Sequence, residues 1–320
     1  MSKRVSYLTT YLVVMFSLTV LRIAVNVDLF GNLGEWELDL VFTTFSQVFC
    51  MGILPILGIL FISKRFGGEK DCYDELRERL SVKRISNKVW LPTIILAILH
   101  PIINGGVSTV WANVVCCTGY TPVISDPTVY AGVEYLFLGI LLTAILPAIF
   151  EEFTHRGLVL SACAGSAHKR VLMSALLFAI MHQNIMQTGY TFIGGILMGY
   201  VTLYSGSIFP AIIMHFFNNL LVVVREYSST VNGIVFQIYK GINAFGSSTF
   251  GSIVLCLVWV GAVALAVYIL YKWGKKTKVE LPVLDEEGQE HSAMTKVLWT
   301  AIITFSTVTT IYTYVWGLIR

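Results

Sequence analysis

The sequence predicts an all-α, polytopic membrane bundle of about eight to nine spans, and three observations carry that prediction. The 320 residues are 56% apolar and only 13% charged, roughly half the charged share of an ordinary soluble domain, about 25%. Mean hydropathy is +0.74. The shortage of charge is also concentrated, because the stretches 7–21, 40–62, 131–150, 171–181 and 249–271 are almost free of ionisable residues. A run of about 20 apolar residues matches the ~30 Å hydrocarbon core of a bilayer. Lipid satisfies no backbone N–H or C=O group, so such runs fold as helices.

Taken in order, the apolar periodicity gives helices over 6–27, 40–63, 89–113, 131–163, 171–187, 189–205, 208–225, 249–271 and 297–318. Lys3 and Arg4 precede the first run as in a signal peptide. The run continues past Arg22 to Val27 without a small-x-small cleavage pattern, which makes it a retained span. The fourth helix is longer than a bilayer needs and is expected to emerge at its C-terminal end. No internal repeat and no low-complexity segment interrupts the series. Gly195-x-x-x-Gly199, with Gly194, is a small-residue face for helix packing, and His100-Pro101 marks a kink.

Basic residues set the orientation. The 64–88 connection carries Lys64, Arg65, Lys70, Arg77, Arg79, Lys83, Arg84 and Lys88. Further clusters are Lys3–Arg4, Lys169–Arg170, and Lys272 with Lys275, Lys276 and Lys278, whereas 114–130 and 183–188 hold no Lys or Arg. Nine spans with a cytoplasmic N-terminus put every cluster on the cytoplasmic side of the cell membrane. The five acids mixed into 64–88 make it a solvated surface helix, and 274–296 is a solvated linker. The net charge of +3 and a pI near 8.4 are mild. The bases flank spans instead of forming a basic, aromatic face, so nucleic acid is not a partner. The six cysteines show no C-x-x-C or Cys/His zinc spacing.

Ionisable residues inside spans cost ~2.5–3.5 kcal/mol each on insertion scales and mark function. Three clusters qualify. In Glu151-Glu152-Phe153-Thr154-His155-Arg156, Glu152 and Arg156 are i, i+4 neighbours able to pair, while Glu151 faces about 100° away and stays available for chemistry. Phe178 and His182 stand one turn apart, with His182 about 16 Å deep at 1.5 Å per residue. His215 and Asn219 share one face, about 10 Å in. Read singly, these are a charged collar, a packing histidine and an interhelical hydrogen bond. Read jointly, Glu, His, His and Asn make a hydrolytic set in which a carboxylate takes a proton from water and imidazole or amide donors face an oxyanion. His155 and His168 are expected at the surface, His155 one turn from Glu151.

The three clusters, in this order, resemble the CAAX-protease and bacteriocin-processing (Abi) family of intramembrane peptidases, whose pattern is E-E-x-x-x-R, then F-x-x-x-H, then H-x-x-x-N. The resemblance covers about 128–226. It implies N-terminal helices with their cytoplasmic loop over 1–127, a catalytic core over 128–226 and C-terminal helices over 227–320. It implies Glu151 as general base, His182 as its partner in activating water, and His215 with Asn219 as oxyanion hole. Glu152, Arg156 and Phe178 would support the site. The implied substrate is a membrane-associated peptide or protein, prenylated or not, reaching a cavity that faces the cytoplasm. No cofactor is implied, although Glu151, His182 and His215 could ligate zinc. H-E-x-x-H is absent. Two other readings use the same residues: a self-immunity or peptide-binding protein without proteolysis, and a small transporter with Glu151, His182 and His215 along an ion path.

Overall fold

The computed structural model describes residues 3–26, 29, 31, 33–66, 87–122, 132–163, 165–277 and 293–319. Among the described residues the chain is helical without a strand. α1 is Lys3–Asn26. α2 runs unbroken through Glu35–Thr44, a π-helical Phe45–Ile53, and Leu54–Phe66. α3 is Asn87–Cys116 and continues through Pro92 and Pro101. α4, Val133–Ala162, contains two π-helical stretches, Ile140–Ile145 and Phe153–Val159. The remaining helices are α5 (Ala167–Met181), α6 (Ile185–Ser205), α7 (Phe209–Thr230), α8 (Ile234–Gly246), α9 (Thr249–Lys276) and α10 (Ala293–Ile319).

Among the described residues, six helices are long and apolar enough to cross a membrane: Arg4–Val25, Leu40–Ile62, Asn87–Cys116, Val133–Ala162, Thr249–Lys276 and Ala293–Val315. α5, α6 and α7 fall short for a physical reason. α6 and α7 are interrupted by polar residues such as Gln187, Thr188, Asn218 and Asn219, and the 15 residues of α5 rise only about 22 Å, less than the hydrocarbon thickness. The helix expected over 171–187 thus divides differently. α5 stops at His182, Gln183 takes a left-handed φ of 50°, and the Asn184 side chain caps α6 by accepting from Met186 N at 3.0 Å. α8 was not anticipated. Ile234, Ile238, Ile242 and Phe245 lie exposed along one face, as in a helix resting in the membrane interface. Most of the 64–88 connection and of the 274–296 linker lies outside the described residues.

α6 is the central post, packed against α5 and α3. A Cβ on Gly195 would stand 3.1 Å from Ala175 Cα, one on Gly199 3.0 Å from Val171 Cγ1, and one on Gly194 2.6 Å from His100 Nε2. These contacts bear out the small-residue face read from the sequence. His100 is buried and meets Asn104 Nδ2 at 3.1 Å.

The two ends of the bundle are fixed by cross-helix contacts. At one end, Arg170 donates to Leu160 O at 3.0 Å, His168 meets Tyr200 Oη, and Tyr204 packs on Trp273. At the other, Trp111 Nε1 donates to Ile185 O at 2.6 Å, Thr313 donates to Gln183 O, and Tyr120 stacks on Tyr314.

Candidate active site

α4 presents Glu151 and Glu152 just before its second π-helical stretch, and the wider turn there fans consecutive side chains toward different neighbours. Thr154 Oγ1 donates to Met51 O of α2 at 2.7 Å. His155 Nδ1 meets Glu151 O at 3.0 Å, while its Nε2 faces Tyr11 Oη of α1 at 3.2 Å. Arg156 Nη1 donates to Glu152 Oε1 at 2.9 Å, and its Nη2 reaches Gly195 O of α6 at 3.1 Å. His155 is fully buried. This corrects the expectation of a surface histidine: the apolar part of α4 continues to Ala162, so His155 points inward at Tyr11 and Phe178.

Glu151 and Glu152 divide as the 100° offset predicts. Both are buried, but their partners differ. Glu152 Oε1 takes Arg156 and, at 2.9 Å, His215 Nδ1 of α7. Glu151 Oε1 takes Gln47 Nε2 of α2 at 2.8 Å. Its Oε2, buried without a hydrogen-bond partner, lies 3.9 Å from His182 Nε2 and 4.0 Å from His215 Nε2. Those separations exceed a direct hydrogen bond and suit one bridging atom.

Both imidazoles are held by their other nitrogen. His182 Nδ1 donates to Phe178 O at 2.8 Å, which turns Nε2 toward Glu151. Phe178 is the hub. His182, His155 and His215 meet it edge-on at 5.0, 5.1 and 5.9 Å, and the Arg156 guanidinium covers its ring at 4.6 Å.

Asn219 stands apart from this arrangement. Among the described residues no hydrogen bond joins it to Glu151, His182 or His215. Its Nδ2 donates to Thr143 O, in the first π-helical stretch of α4, at 3.0 Å. Its Oδ1 accepts from Asn218, whose own Oδ1 accepts from Asn104 of α3. Its amide is thereby part of a hydrogen-bond chain linking α3, α7 and α4.

Glu151 and His182 line a cavity of about 220 Å³, with Arg22, Phe42, Ser46, Gln47, Asn184 and Gln187 on its walls. Arg22 Nη2 approaches His182 O at 3.4 Å, and its guanidinium lies 5.4 Å from the Phe42 ring centre. Arg22 and Gln47 were not singled out from the sequence. Each had a signal, since Arg22 is the only charged residue between Arg4 and Asp28, and Gln47 the only carboxamide in 40–62. The cavity sits where α1 ends, α2 begins and α5 turns into α6, opposite the end that holds Arg4, Lys64, Arg65 and Lys169. The start of α1 and the cavity thus lie toward opposite ends of the bundle, where the sequence reading puts both on the cytoplasmic side. Counting depth along α5 and α7 from their basic ends located the carboxylates, but did not show which end the cavity joins.

Fold and site together define a helical membrane protein with a buried acid–histidine cluster beside a polar cavity. Residues 133–221 match the family model described as type II CAAX prenyl endopeptidase Rce1-like, a protease family, so the resemblance carried by the three motifs holds over that stretch. No curated protein and no solved structure matches the chain. Among the described residues no group of three or more His, Cys, Asp or Glu side chains is arranged to hold a metal ion.

Proposed function

We propose that the chain is an intramembrane endopeptidase that hydrolyses a peptide bond in a membrane-associated peptide or protein, using water activated by Glu151 and His182. The observation that carries this reading is the unpartnered Oε2 of Glu151, flanked by two fixed imidazole nitrogens at 3.9 and 4.0 Å. A water between Oε2 and His182 Nε2 is oriented by both. Glu151 takes its proton as the oxygen attacks the scissile carbonyl carbon. The resulting oxyanion is met by His215, which in its protonated form offers Nε2–H from a ring locked by Glu152. The C–N bond then breaks as the proton held on Glu151 passes to the leaving amine. No metal is assigned to these steps. Asn219 holds α7 against α4, and Glu152, Arg156 and Phe178 hold His215 and His182 in place. Arg22, the one Lys or Arg among the described residues lining the cavity, suits a carboxylate of the substrate.

The test is incubation of the purified protein with lipidated and unlipidated peptides, with products read by mass spectrometry. Discrete cleavage by the wild type and none by Glu151→Gln is the expected result. Binding without cleavage by the wild type, or near-wild-type turnover in Glu151→Gln, overturns the proposal.

A further inference from the structure

The cavity and the positive charges occupy opposite ends of the bundle. The helix ends carrying Lys64, Arg65, Lys88, Lys169, Lys275 and Lys276 share one end with the start of α1. In the sequence, the stretches between those helices, 67–86 and 278–292, contain Lys70, Arg77, Arg79, Lys83, Arg84 and Lys278. The other end has the turns at 117–122, 182–184 and 231–233, without Lys or Arg. Among the described residues, Arg225, near the end of α7, and Lys240, on α8, are the Lys or Arg that lie toward it besides Arg22 in the cavity, and in the sequence Arg320 follows α10. Lys and Arg near span ends are retained in the cytoplasm, and short connections between spans obey this bias most strongly. The cavity walls come from the second half of α1 (Arg22), the first half of α2 (Phe42, Gln47) and the α5–α6 turn (Asn184), all at the charge-poor end.

We infer that the cavity is entered from the side of the membrane away from the cytoplasm, and that its substrate is a membrane-bound peptide segment presented at the outer leaflet. The substrate half of this inference rests on the peptidase reading, whereas the direction of access does not. Gln187, on the cavity wall, and the exposed Cys116 and Cys117 at the end of α3 report the charge-poor end. Ala293, exposed at the start of α10, reports the basic end.

The experiment applies a membrane-impermeant maleimide to spheroplasts of a bacterial host expressing the full chain, before and after permeabilisation, and locates modified cysteines by peptide mass spectrometry. Gln187→Cys and native Cys116 or Cys117 should be modified in intact spheroplasts. Ala293→Cys should be modified only after permeabilisation. The reverse pattern, or equal modification of both ends in intact spheroplasts, overturns the inference. If Gln187→Cys does not accumulate, the native pair reads the same end without any substitution there. Labelling from outside combined with no cleavage of any peptide removes the peptidase reading and leaves the direction of access standing.

Discussion

At the scale of single residues, the site turns on how differently two adjacent carboxylates are treated. Glu152 is committed to Arg156 and His215, while Glu151 has one oxygen held by Gln47 and the other turned toward two imidazoles. Gln47→Leu removes a hydrogen bond to a charged group, worth about 1.5–3 kcal/mol. A roughly 10–100-fold fall in kcat/KM with an unchanged Tm is the expected result if that bond acts on the reaction; a parallel loss of Tm would mark Gln47 as a packing residue. Arg156→Ala leaves the buried Glu152 with His215 alone. Breaking a fully buried pair costs ~3–5 kcal/mol, so thermal unfolding should show a clear drop in Tm. Arg156→Lys should recover little of it, because one ammonium cannot serve both Glu152 and Gly195 O in the fork geometry of a guanidinium. Exhaustive chelation should leave turnover intact, and elemental analysis should find well under one zinc per chain; zinc-dependent loss and recovery of activity would make Glu151, His182 and His215 ligands instead. The Glu152–Arg156 pair was legible in sequence because both partners sit on one helix at i, i+4. The Glu152–His215 contact was not, because it exists only once α7 packs on α4.

At the scale of elements, three consecutive residues of one π-helical turn fasten α4 to three others: Thr154 to α2, His155 to α1 and Arg156 to α6. Ser174 of α5 adds a fourth tie by donating to His155 O at 3.1 Å. A plain α-helix would bring Thr154 and Leu158 to one face and repeat the same neighbour every turn; π-helical turns, often found at functional sites, redistribute them. No periodicity in the sequence announces such a turn, which is why Glu152–Arg156 spacing was readable and the directions of Thr154 and His155 were not. Gly195 shows the opposite case. Its spacing from Gly199 is visible in the sequence, and the observed approach to Ala175 follows from it. Gly195→Leu would drive a side chain into the α5 backbone at 3.1 Å, and overpacking of this kind costs typically 1–3 kcal/mol. A lowered Tm and lost activity are expected together, whereas Gly241→Ala, with open space around it, should leave both unchanged.

At the scale of the whole molecule, hydropathy identified the six long spans because their apolarity is uninterrupted, and it blurred α5 to α7 because the site lies among them. α8 escaped notice for a related reason, since a helix resting at the interface is neither long nor uniformly apolar. The matched stretch 133–221 holds Glu151, Glu152, Arg156, Phe178, His182, His215 and Asn219. Arg22, Phe42, Ser46 and Gln47 lie outside it, in α1 and α2, yet they form much of the cavity wall. On the proposed function, the groups assigned to the reaction and much of the cavity wall are thus encoded in separate parts of the chain. A chimera that exchanges α1 and α2 for those of another protein with the same reactive core, keeping the glutamine opposite Glu151, should change which peptide is cut while the bond-breaking step stays the same.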